Sequence, residues 1–360
     1  MAKIVKCGGD GGDLGSARVS RAGFGALPKR TFLIVDPTTL ILNGRAMAHP
    51  GTIAVTNYDW YDFLLGQRRL WDEVNFWTPS SHFTFRAPEF SPFLFKLKAP
   101  HNAICGFGYF ARYSALPEWL AWECFGEANG CSSFEKMHAR LEKIRHGFRY
   151  AQAEGIQQIG CIIVVNATFF PKSEWIAQPR DWPPRNLRPM RYDLSAGEGA
   201  RVWAECRAQI QSDRELRVAE LEAVGGSQRY GSPVLIRPRL GQGAFRVSVT
   251  EAYKRACAVT QEHSLPALEA AHIRPFAKEG PHEVRNGLLL RADLHRLFEQ
   301  GYVTVTPDYT LEVSDRLRHD YHNGRSYYPL RGTRICVPAV DAERPTRDLL
   351  VWHNQNVFLQ

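Results

Sequence analysis

The stretch CAVTQEHSLPALEAAHIRPFAKEGPHEVRNGLLLRADLHRLFEQGYVTVTP, residues 257–307, decides how the last third of the chain folds. LEAAHI reads as a short strand ending at His272, and the polar loop RPFAKEGPHEVR leads from it to Asn286. GLLL is a second, apolar strand, and RADLHRLFEQ has helical spacing and is stopped by Gly301. Strand, loop, strand and helix make a ββα unit. On the helix Leu294, Leu297 and Phe298 share the packing face, so His295 is expected on the exposed side among polar groups.

Hydrolysing a phosphodiester takes a water made nucleophilic, a cation at the phosphate and help for the departing oxygen. A strand histidine facing a metal-ligating helix histidine supplies the first two. His272 is therefore the candidate general base, His295 the candidate metal ligand, and Asn286 a residue that orients the base or braces the loop. Neutral imidazole, with a reference pKa of about 6.5, accepts a proton near neutral pH.

The segment resembles the HNH endonuclease family, in the branch marked by AAHI, NGLLL and DLHxLF. The resemblance spans roughly residues 230–310 and includes the lead-in RPRLGQGAFRVSVTEAYKRACAVT. It implies His272 as base, Asn286 as a structural residue and His295, nine positions later, as ligand of a divalent cation. It also implies Mg²⁺ or Mn²⁺ as cofactor, with Ni²⁺ a further candidate, and products with 5′-phosphate and 3′-hydroxyl ends. One departure matters: many members place an acid or a second histidine directly before the base, where this chain has Ala271. Asp293 and Glu269 are the candidate replacements, and Asp293 is preferred because it lies closer to His295 in sequence. Cys257 is followed three residues later by Thr260, so no structural zinc is expected. His263, His282, His319, His322 and His353 read as solvated or structural.

A chain of 360 residues, 44% hydrophobic and 12% aromatic, has room for two folded domains. No apolar run approaches the ~20 residues of a bilayer span and no secretory signal opens the chain, so a cytoplasmic location without a membrane partner is expected. Eight cysteines without a CxxC pair read as reduced, mostly buried thiols. The net charge of +8 favours a polyanionic partner, and the excess is shared, +3 over residues 231–360 and +5 over the rest. Both parts are then expected to touch nucleic acid.

Residues 1–46 are glycine-rich and read as a poorly ordered leader, with Met47 an alternative start. Residues 47–178 alternate short strands with a helix, SSFEKMHARLEKIRHGF, whose apolar face is Phe134, Met137, Leu141 and Ile144. Residues 179–230 read as a proline-rich linker followed by a connecting helix, and 231–360 as the nuclease domain. Between 58 and 125 there are 19 aromatics in 68 positions, more than a small core needs. Trp60, Tyr61, Trp77, Tyr109 and Trp119 are candidates for the walls of a pocket holding an extruded base, core packing being the competing reading for each. Lys96, Lys98, Arg112 and His101 would then face phosphates.

SPFLFKLKAPHNAICGFGYFARY, with a Gly-Phe-Gly turn at Gly106–Gly108, and the later IGCIIVVNATFF are similar to the PUA-like group that includes EVE, SRA and ASCH domains. The expected fold class is thus α+β: an N-terminal PUA-like β-barrel-type domain with inserted helices, a linker helix and a C-terminal ββα-metal nuclease. That order is similar to bacterial modification-dependent restriction endonucleases. It implies double-stranded DNA as partner, with modified cytosine as the recognised base, and a homodimer if both strands are cut. Two other readings stay open: a first domain that senses a small molecule or an unmodified sequence, and a DNA-binding protein whose site has decayed at Ala271.

Overall fold

The computed structural model describes residues 49–67, 71–148, 158–209 and 241–360. The expected leader 1–46, the alternative start Met47 and the second half of the connecting helix lie outside the described residues. None of the described helices is long and apolar enough to cross a membrane.

The first domain is built on one mixed sheet. Its strands are β1 (Pro50–Thr56), β2 (Trp71–Thr78), β3 (Pro92–Leu97), β4 (Ala103–Pro117), β5 (Gln158–Phe169), β6 (Ile176–Ala177) and β7 (Met190–Asp193). The order is β2-β5-β4-β3-β1-β7, with β6 on β4, and among the described residues no pairing of β2 with β7 closes the path. Only β1 and β3 pair in parallel among these strands. Successive side chains alternate between two cores: Ala54, Phe93 and Phe95 enter one, Ile53, Leu94 and Ile104 the other. Burial on both faces explains why PFLFKL lacks a polar–apolar alternation. Helices α1 (Tyr58–Gly66), α2 (Glu118–Phe125) and α3 (Phe134–Phe148) cover the first core. Helix α4, over 197–209, covers the second with Val202, Trp203 and Cys206.

This places residues of the expected linker inside the first domain. Pro189 ends the proline-rich run, and β7 starts directly after it, pairing with β1 at the sheet's edge, where a preceding proline costs no ladder bond. The Gly-Phe-Gly turn is likewise absent: Gly106 and Gly108 lie within β4. A Cβ at Gly108 would sit 2.5 Å from a Val164 methyl and 2.9 Å from Val165 O, so glycine there serves the close approach of β5.

The second domain holds α5 (Gln242–Ala252), the antiparallel hairpin β8 (Leu268–His272) and β9 (Gly287–Arg291), and α6 (Ala292–Glu299). It continues with the hairpin β10 (Val303–Val305) and β11 (Leu311–Val313), then α7 (Arg316–Tyr321) and α8 (Arg347–Asn356). Leu268, Leu288, Leu290, Leu294 and Phe298 join its core, which holds α6 against the β8–β9 hairpin. Helix α5 belongs to both domains: Ala244 and Val247 enter the first domain's core, Phe245 and Val249 the second's.

Candidate active site

His272 ends β8 and its ring lies flat on Phe245, with centroids 3.8 Å apart and planes 10° from parallel. The ring of His282 stands against it at 5.5 Å and 65°. Burial, reinforced by the charges of His282 and His295, pushes the His272 pKa down to about 4, so the imidazole is neutral at pH 7. Its Nε2 is buried and has no hydrogen-bond partner among the described residues. A buried polar atom left without a partner is uncommon, and this nitrogen keeps its capacity to accept a proton.

Across from β8, α6 carries His295, whose side chain is only 16% exposed rather than projecting into solvent. Its Nδ1 is 2.6 Å from Glu269 Oε2 and its Nε2 3.1 Å from Glu299 Oε1, one helical turn on. The two carboxylates sit at opposite ring nitrogens, so a divalent cation could take only one of these contacts, and the carboxylate at the other nitrogen would fix the imidazole's orientation. Glu269, on β8, thus meets His295, whereas the preferred Asp293 does not. Asp293 is held by Arg291 through two contacts of 2.8 and 2.6 Å and by the Tyr327 hydroxyl at 3.2 Å, and Arg291 keeps its pKa low. Ala271 is fully buried in the core between them.

Asn286 is fully buried and bonds only backbone. Its Oδ1 accepts from Arg274 N, and its Nδ2 donates to Arg274 O and Pro281 O, each at 2.9 Å. Of the two roles open to it, bracing the loop from 274 to 286 is the one its contacts fit. That loop carries His282, which the sequence reading left as structural and which no spacing rule singles out.

Residues 257–306 match the family model described as HNH endonuclease. This segment is an HNH endonuclease domain. No curated protein matches the chain. Among solved structures, the chain is similar to ASCH from Zymomonas mobilis, at 10% identity, covering 43% of this chain and 94% of that one with a TM-score of 0.30. It is also similar to the modification-dependent TagI restriction endonuclease, at 23% identity, covering 36% of this chain and 43% of that one with a TM-score of 0.26.

The residues proposed for DNA contact in the first domain are mostly placed elsewhere. Trp60 and Tyr61, 4% and 1% exposed, are core residues of α1, not pocket walls. Trp77 is half-buried with its indole donating to Asn129 O at 2.9 Å, and Tyr109 and Trp119 are half-buried against the core. Lys96 is 3% exposed, its ammonium bonded to Leu97 O and set 5.1 Å from the Trp182 ring centre, and burial lowers its pKa. Lys98 is half-buried and its pKa is lowered for the same reason. Arg112 faces the HNH domain, where it pairs with Glu343 at 2.8 Å.

An open aromatic surface exists instead at Tyr58, His101 and Trp175, whose ring centres are 5.0 to 6.4 Å apart. Trp175 is held from below, its indole donating to the Tyr61 hydroxyl at 3.0 Å, which in turn donates to Phe170 O at 2.7 Å. A cleft of about 770 Å³ opens between the domains, bounded by Arg112 of β4, Ser248 of α5 and Pro281, His282 and Glu283 of the HNH loop. Among the described residues, Glu118, His138 and Glu142 of the first domain are the group of three metal-binding residue types whose ligand atoms lie within 4.8 Å of one another, but Arg145 already pairs with both carboxylates.

Proposed function

We propose that the protein is a metal-dependent DNA endonuclease whose HNH domain hydrolyses phosphodiester bonds under the guidance of the first domain. The observation that carries this reading is a neutral His272 with an unpartnered Nε2, in electrostatic reach of a His295 flanked by two carboxylates. His272 accepts the proton of the attacking water as its oxygen bonds to phosphorus and the bond to the 3′ oxygen breaks; the departing oxygen takes a proton from solvent water, leaving a 5′-phosphate and a 3′-hydroxyl. His295 and Glu269 would hold the divalent cation, Mg²⁺ or Mn²⁺, in place of their direct contact, with Glu299 at the other nitrogen orienting the ring; the cation would supply positive charge at the phosphate. Asn286 keeps the loop bearing His282 closed over the base.

The first domain reads the DNA in this proposal, and modified cytosine is the base we assign to it. The exposed rings of Tyr58 and His101, beside the half-buried Trp175, would offer an extruded base the stacking it loses on leaving the duplex. Double-strand cutting calls for two HNH units, hence a homodimer on DNA. A decayed site, suggested by Ala271, finds no support in the geometry, because Glu269 reaches His295 from the same strand.

Plasmids differing only in cytosine modification, incubated with Mg²⁺, Mn²⁺ or Ni²⁺, test the proposal. Cutting confined to modified plasmids and lost in His272→Ala is expected. Uniform cutting removes the modified-base reading, and intact DNA under every condition removes the nuclease.

A further inference from the structure

The imidazole of His272 makes no hydrogen bond among the described residues, so a catalytic base of this kind lacks the side-chain or backbone acceptor that ordinarily fixes its ring. What it has is the flat stack on Phe245, and Phe245 does not belong to the ββα unit. It sits on α5, at the helix start that the first domain grips. Glu73 of β2 accepts from Gly243 N and Ala244 N, both at 2.7 Å, one N–H on each carboxylate oxygen. These are two of the amide groups that a helix N-terminus leaves unbonded; burial raises the Glu73 pKa to about 7, and the two N–H bonds work against that rise.

The grip is close. A Cβ at Gly241 would lie 2.3 Å from Glu73 Cδ, and one at Gly243 would lie 2.5 Å from Cys124 O of α2. Ala244 and Val247 lock the same helix into the first domain's core. On the other side of α5, a Cβ at Gly287 would lie 2.4 Å from a Val249 methyl and 3.0 Å from Phe245 Cζ, so β9 is pressed onto the helix as well.

We infer that Phe245 is the positioning residue for His272, and that Glu73 of the first domain sets its place, so that docking of the two domains aligns the base. This rests on the proposed role of His272 as base. A displacement of the helix start moves Phe245 and, through the stack, tilts the ring whose Nε2 must meet a water. Misplacement by about 1 Å can cost on the order of 100-fold in rate.

The test uses the full chain with Phe245→Leu and Glu73→Gln, and two readouts. In cleavage assays, kcat is expected to fall about 100-fold for Phe245→Leu and by a smaller factor for Glu73→Gln, with KM unchanged. In NMR spectra of the free protein, the stack displaces the His272 ring-proton signals upfield. Phe245→Leu is expected to abolish that displacement and Glu73→Gln to reduce it, although Glu73 lies outside the HNH domain. The signals of His353, stacked on a different phenylalanine, monitor folding and should not move. Unchanged kcat with unchanged His272 signals in both folded variants overturns the inference and leaves the nuclease reading intact. A wild-type protein that cuts no DNA overturns the nuclease reading, while the spectra still decide whether Phe245 and Glu73 set the ring.

Discussion

Two histidines of the HNH domain lie flat on a phenylalanine in nearly the same geometry, and their ring nitrogens are used differently. His272 stacks on Phe245 and His353 on Phe298, both at 3.8 Å and within about 1° of the same tilt, 10° and 11°. Burial pushes both pKa values down to about 4. His353 is 2% exposed and spends both nitrogens: Nε2 donates to Phe298 O at 3.2 Å and Nδ1 accepts from Thr304 Oγ1 at 2.8 Å. The bond to a carbonyl fixes its tautomer, and the ring is a strut between α6, β10 and α8. His272 has the same stack and the same neutral charge with Nε2 left over. A depressed pKa in a buried histidine therefore does not by itself identify a catalytic group. What separates the two rings is the unspent nitrogen, on which the proposed role of His272 rests.

The largest effect expected from this contrast is on rate. His272→Ala should lower cleavage about 10²- to 10⁴-fold, the usual worth of a general base, with little change in melting temperature. His353→Ala should do the reverse, since it removes a buried stacked ring and leaves the Thr304 O–H without its acceptor, although Gly301 N and Asn354 Nδ2 still bond Phe298 O and Thr304 Oγ1. A loss of about 1–3 kcal/mol in stability by denaturant titration is expected, with the folded fraction still cutting. If the two variants exchange phenotypes, the contrast is wrong.

The next effect concerns the cation. Titration calorimetry with Mn²⁺ should show affinity about 10- to 100-fold weaker in Glu269→Gln, while Asp293→Asn binds nearly as the parent does. An equal loss in both would return Asp293 to the site and detach Glu269 from it.

The smallest effect is the pH dependence that the two rings share. Unfolded imidazoles take up protons as pH falls through about 6.5, whereas His272 and His353 stay neutral in the fold down to about 4. Across that window the unfolded state binds more protons, so stability falls with pH. Urea midpoints measured from pH 7 to pH 4 should drop in the parent and drop less in His353→Gln. Identical slopes would mean that His353 titrates normally.

The ββα unit was legible because everything that defines it is local: Leu294 and Phe298 are spaced for one helix face, and LEAAHI and NGLLL frame the loop. The carboxylate that contacts His295 was not, because proximity along the chain favoured Asp293 whereas the fold sets Glu269 of β8 against the α6 histidine. Arg291, two residues before Asp293, was the available warning that this carboxylate has a nearer cation. Trp60 and Tyr61 read as pocket walls because YDWYDFLL was taken with the strands around it; with Leu64 they are spaced for the inner face of a helix. Arg112 could not have been placed from sequence, since its partner Glu343 is 231 residues away. Nor could α5, which shows no single apolar stripe because neither of its faces is free.

That last feature bears on how such a protein could be recombined. A helix that donates Ala244 and Val247 to one core and Phe245 and Val249 to another gives the chain no clean seam at its start. A chimera fusing the first domain to a foreign nuclease just before Gly241 would leave Glu73 facing an unfamiliar helix. Carrying the native segment through Tyr253 would preserve the carboxylate's partners and oblige the incoming nuclease to accept Phe245 as part of its own interior.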